Sequence, residues 1–172
     1  IIVSAVNLHA AELNYMLDSQ TKIVKLAGDM KFTEGPGWEP KTKTLIFSDI
    51  PNSKLMAWNS SQGLTVFRES KNANGNILDL QGNLISCQHT GRNLIRITQD
   101  GESEIIVDNY KGKQLNSPND VCVKSDDTIW FTDPPYGILS DYEGYKADQE
   151  YGGCYVFKFD PHKKNLEVMT TN

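Results

Sequence analysis

Three short stretches concentrate oxygen-bearing side chains beside residues that stiffen the backbone. They are Glu34-Gly35-Pro36 within "KFTEGPGWEP", Asn74-Gly75-Asn76 within "NANGN", and Pro118-Asn119-Asp120 within "SPND". A carboxylate and several amide carbonyls meeting at one point would suit a hard cation. Calcium, which takes 6 to 8 oxygen ligands, fits such a set better than zinc, which prefers nitrogen and sulfur. Glycine and proline beside each ligand would keep the geometry from relaxing. The alternative is that Gly-Pro and Asn-Gly merely make turns and that Glu34 is solvated. His89, in "CQHTGR", titrates near neutrality and could serve as a general base or simply hydrogen-bond within its own unit. Neither a Ser/His/Asp set nor a Gly-x-Ser-x-Gly elbow is visible, which argues against acyl-enzyme chemistry.

These stretches can meet only if the elements between them repeat, and they do. The segments "LIFSDIPNSKLMAW", "LISCQHTGRNLIRI" and "IWFTDPPYG" start at Leu45, Leu84 and Ile129, a spacing of roughly 40 residues. Each follows a polar or glycine-bearing turn, "EPKTKT", "DLQGN" or "KSDDT". In the first two units, further apolar-alternating segments ("KLMAW" then "LTVF", "NLIRI" then "EIIV") follow across the turns "SSQG" and "TQDG". In the third, "GGCYVFKFD" and "LEVMTT" take those places after the insertion "ILSDYEGYKADQEY". Short strands, hairpin turns and this period predict four-stranded antiparallel blades, hence an all-β propeller. A β-sandwich with irregular turns is the alternative. In a propeller, the starts of the innermost strands converge on one mouth of the axis, and counting back from the aligned runs lands on the three stretches above. A helix is predicted only in "AELNYML", where Leu13, Met16 and Leu17 share a face.

Composition narrows the function classes. A chain of 172 residues, 38% hydrophobic, can form one domain that buries roughly 70% of its unfolded surface. The net charge of -5, with acids and bases scattered, offers no basic footprint for nucleic acid. Cys87, Cys122 and Cys154 are too few and too widely spaced for a disulfide framework or a zinc knuckle, and are read as reduced and structural. No run approaches the roughly 18 apolar residues of a membrane span. The opening "IIVSAVNLHAAE" reads as a signal remnant, a short helix or a cloning remnant. Residues 1–24 are therefore set apart as an N-terminal extension and 25–172 as a partial propeller domain, with the compartment, periplasmic, secreted or cytoplasmic, left open.

The stretches "FTEGPGWEP…LIFSDIPN", "NANGNILDLQGNLISCQHTGRNLIR" and above all "NSPNDVCVKSDDTIWFTDPPYG" resemble the family of gluconolactonase, senescence marker protein 30 and luciferin-regenerating enzyme, most of all its bacterial gluconolactonases. The resemblance implies a six-bladed propeller that hydrolyses sugar lactones with one divalent cation at the axial pocket, usually calcium, with zinc, magnesium or manganese as substitutes. It implies that Glu34 is a direct metal ligand and that Asn119 faces metal and substrate. Asn116, Asn74 and His89 fall at substrate-side positions, and Asp133 and Tyr136 at positions that hold the loop at the mouth. Two further metal residues of the family, an asparagine and the aspartate taken as general base, would follow Asn172. About three of six blades are accounted for. The reading is thus a fragment of a longer lactonase, with a ring closed by its C-terminal half or by a second copy as the expected completions. A non-catalytic ligand-binding or interaction module is the other function class.

Overall fold

The computed structural model describes residues 22–171, and the helix expected at "AELNYML" lies outside them. Among the described residues, fourteen strands form three four-stranded antiparallel sheets and one small hairpin. The first sheet runs in chain order through β1 (Thr33–Glu39), β2 (Thr44–Asp49), β3 (Lys54–Asn59) and β4 (Gly63–Glu69). The second does the same with β5 (Ala73–Leu78), β6 (Leu84–Gln88), β7 (Asn93–Ile97) and β8 (Ser103–Val107). After the hairpin of β9 (Asn109–Tyr110) and β10 (Lys113–Gln114), the third comprises β11 (Val121–Val123), β12 (Ile129–Asp133), β13 (Tyr155–Asp160) and β14 (Asn165–Thr171). Each sheet is a meander whose turns fall where the sequence places polar or glycine residues, apart from the long 134–154 connection between β12 and β13, so each is one blade.

The core lies between blades. Ile46, Leu55, Ala73, Leu84, Ile95 and Ile97 fill the wedge between the first and second. Ile85, Leu94 and Val107 of the second meet Val121, Ile129, Phe131 and Phe157 of the third, with Leu115 and Tyr151 from the connecting loops. The inner strands of the second blade, β5 and β6, are thereby buried on both faces while the outermost strands, β4, β8 and β14, stay largely exposed. Cys87 is buried in the second wedge, Cys122 is exposed and Cys154 half-buried, and all three are free thiols. Among the described residues, no helix is long and apolar enough to cross a membrane.

Candidate functional site

The innermost strand of each blade is kinked at the same place. Glu34 pairs with Ser48 and Gly37 with Ile46, so Gly35 and Pro36 together face the single residue Phe47. Ala73 pairs with Gln88 and Asn76 with Ser86, so Asn74 and Gly75 together face the single residue Cys87. In the third blade, Asn119 N donates to Thr132 O (2.9 Å) while Thr132 N donates to Asp120 O (3.0 Å), so two residues again face one. Such bulges re-aim side chains and cluster beside active sites.

The bulges touch one another. A Cβ on Gly35, whose φ is +58°, would lie 1.9 Å from Asn74 O. One on Gly75 would lie 2.6 Å from Asn119 O, to which Gly75 N donates at 2.7 Å. Only glycine permits this approach. Ser48 Oγ donates to Asn74 O (2.6 Å), and Asn76 Nδ2 lies within 2.9 Å of Gly35 O, Asn74 O and Ser48 Oγ. Ser86 Oγ donates to Asn76 Oδ1 at 2.8 Å, which fixes that amide's orientation. Glu34, Asn74 and Asn119 are thus carried on three backbones locked in mutual register.

A loop over residues 134–154 packs against this centre. His89, directly after β6 and fully buried, has Nδ1 2.9 Å from Glu143 O and Nε2 3.3 Å from Asn74 Nδ2. A Cβ on Gly137 would fall 2.3 Å from the His89 ring, so the loop lies directly on it. Burial lowers the pKa of His89 below the ordinary value, opposed by the Glu143 carbonyl. Glu143 itself is half-buried, and its carboxyl is held above the usual range first by burial and then by the charge of Glu34.

The loop's base is a buried polar knot. Asp133 Oδ2 accepts from Asn116 N (2.8 Å) and from the Tyr151 hydroxyl. Ser117 Oγ donates to Pro134 O (2.6 Å) and accepts from Gly137 N (2.9 Å). Burial pushes Asp133 up to about 6, against its hydrogen bonds from Tyr151 and Asn116 and the nearby Arg92 charge. Tyr151 is raised by burial and by Asp133. Asp133 therefore ties the loop down, whereas the side chain of Tyr136 stands 58% exposed.

Of the residues singled out from sequence, Glu34 and Asn119 are half-buried on neighbouring bulges and Asn74 lies between them. His89 and Asn116 are 0% exposed, so they touch a ligand only through other side chains. Full burial with both ring nitrogens occupied also removes His89 as a base for water. Sequence reasoning passed over Glu143. Its signal was the insertion in the third unit, since insertions in repeat folds gather on one face, often the binding face.

Among the described residues, no three His, Cys, Asp or Glu side chains converge as a metal cluster. Nor does Glu34 or Glu143 form an ion pair there. Two half-buried carboxylates without an ion-pair partner among the described residues, Glu143 near enough to feel the charge of Glu34, with Asn119 on a neighbouring bulge, are donor types that fit a hard divalent cation.

These features define a class: β-propeller blades whose axial mouth gathers oxygen atoms from the bulged innermost strands. The chain belongs to the SMP-30/gluconolactonase/LRE-like family, whose pattern matches residues 32–172. It is 28% identical over 174 residues to the gluconolactonase of Zymomonas mobilis, covering 92% of this chain and 48% of that protein. The structure of a gluconolactonase from Xanthomonas campestris matches with a TM-score of 0.80 and 35% identity, over 83% of this chain and 48% of that one. Regucalcin of Agrobacterium tumefaciens, described as a calcium-binding protein, matches at 0.60 with 15% identity, over 83% and 44%, a likeness of fold alone. The chain spans about half the length of the curated and solved gluconolactonases it matches.

Proposed function

We propose that this chain supplies half of the active site of a lactone hydrolase that opens a sugar lactone such as gluconolactone to its aldonic acid. The observation that carries the reading is the meeting of Glu34, Asn74 and Asn119 on three interlocked bulges in a chain of gluconolactonase kinship. Glu34 would hold a divalent cation, calcium in the first instance, with Asn119 completing part of its oxygen shell. Bound there, such an ion supplies Lewis-acid polarisation of the lactone carbonyl. The chain's own residues bind and orient: Glu34 and Glu143 make the mouth negative, and Asn119 and Asn74 offer amide groups to the substrate's polar edge. Asp133, through Asn116, Ser117 and Tyr151, keeps the 134–154 loop seated so that the reacting ester is screened from bulk water.

The test is Glu34→Gln, which keeps shape and removes charge. Calcium-dependent hydrolysis of glucono-δ-lactone, followed by acid release, is expected to fall at least about 100-fold, and calcium heats in calorimetry should vanish. Full activity in this variant would overturn the assignment. Calcium binding without turnover in the unaltered protein would favour a ligand-binding module instead.

A further inference from the structure

The partners of His89 decide which hydrogen it carries. Glu143 O, 2.9 Å from Nδ1, is a carbonyl oxygen and can only accept, so Nδ1 bears the proton. Burial keeps the ring neutral near pH 7, so Nε2 presents a lone pair. Asn74 meets that nitrogen at 3.3 Å. Only the NH2 end of an amide can face a lone pair, so Asn74 Oδ1 must turn away from the ring.

The freed oxygen is unusual in its surroundings. Asn74 is 2% exposed, yet its Oδ1 is not among the sealed, unpartnered atoms, which are Asn93 Oδ1, Asn116 Oδ1 and Asp133 Oδ1. Among the described residues, the hydrogen bonds of Asn74 involve its backbone oxygen and its Nδ2, and none reaches Oδ1. Buried polar atoms nearly always find a partner, so an acceptor with none among the described residues is a place for an incoming donor. Its backbone is wedged between Gly35 and the Asn119 bulge, so Asn74 stands on the element between those that carry Glu34 and Asn119.

We propose that His89 is a positioning residue: clamped by the Glu143 carbonyl, it fixes the Asn74 amide with its oxygen toward the axial mouth, where that oxygen accepts a hydrogen bond from a ring hydroxyl of a polyhydroxylated lactone. The ligand half of this inference rests on the lactonase reading, and the orientation half does not. The device selects lactones that carry hydroxyls over those that do not, because an unsubstituted ring leaves Asn74 Oδ1 unpaired. It also makes the selectivity depend on the 134–154 loop, whose Glu143 carbonyl sets the tautomer.

The experiment compares kcat/KM for glucono-δ-lactone with that for δ-valerolactone, which lacks hydroxyls, in the unaltered protein, His89→Phe and His89→Gln. His89→Phe frees the Asn74 amide to rotate, and the selectivity ratio is expected to fall about tenfold, mainly through KM for gluconolactone. His89→Gln, whose side-chain oxygen can accept from Asn74, should restore most of it. A merely structural histidine would lower both lactones alike and leave the ratio unmoved, which would overturn the proposal. Nitrogen NMR of the imidazole in this 172-residue chain reads the orientation without any substrate. A protonated Nδ1 with a bare Nε2 is expected, and the opposite tautomer would refute the arrangement even if the variants fail to fold. If the unaltered protein opens neither lactone, the hydrolase reading and the hydroxyl-acceptor role fall together, while the imidazole spectrum still decides the orientation.

Discussion

Asp133 is 0% exposed, with one carboxylate oxygen bonded twice and the other, Oδ1, without a partner. Burial disfavours its charged form and lifts its pKa from 3.8 to about 6. Between those pH values the folded protein retains a proton that the unfolded chain has released, so stability falls as pH rises through the window. Its contribution is complete below the unfolded value and lost above about 6. Asp133→Asn stays neutral throughout and keeps an acceptor for Asn116 and Tyr151. The stability difference, native minus variant, should therefore drop by on the order of 2 kcal/mol between pH 4 and pH 7 in urea titrations. A flat difference would show that Asp133 is not the titrating group. At this scale the sequence was readable where local stiffness marks a residue, as at Glu34 beside Gly-Pro-Gly. It was not readable at Glu143, whose proximity to Glu34 exists only once a loop from the third blade has folded back.

The bulges are the elements on which the site depends. Gly75 has an ordinary φ, so its need for glycine comes from closeness to the next blade, where an added Cβ would meet Asn119 O at 2.6 Å and Asp120 Cα at 2.7 Å. Gly75→Ala is expected to destabilise by about 1–3 kcal/mol through overpacking, and to weaken ligand affinity by separating Asn74 from Asn119. Gly152→Ala, where nothing lies within 4 Å and φ is not positive, should be neutral or slightly stabilising. Equal urea midpoints for the two variants would disprove the contact argument. The blades themselves were legible because alternation and turn residues are local. "TKTLIFSD" and "KSDDTIWFTD" state a turn and then a strand without reference to distant residues. The β9–β10 hairpin was missed because its strands are two residues each and give alternation no room, although Lys111 and Gly112, with φ of 53° and 78°, form the tight turn that "NYKGKQ" encodes.

The molecule as a whole holds together by the wedges between blades, since each sheet alone would leave its apolar faces in water. Phe157 is the clearest probe of that coupling. It is 0% exposed and stacks on Phe131 at 5.2 Å between centroids, and around it lie Tyr110 of β9, Tyr151 of the 134–154 loop and Tyr155 of its own strand. Phe157→Ala should cost about 3–5 kcal/mol. Phe67, on the outermost strand of the first blade and 43% exposed, offers a control, and Phe67→Ala should cost less than about 1 kcal/mol. The more telling readout is the shape of the transition. If the wedges couple the blades, Phe157→Ala lowers one cooperative urea transition seen alike by Trp58 in the first blade and Trp130 in the third. If fluorescence from Trp130 moves while that from Trp58 does not, the blades unfold separately. The register of the three bulges would then be held by Gly75, Asn76 and Ser48 contacts alone, because the wedge packing would not transmit from blade to blade.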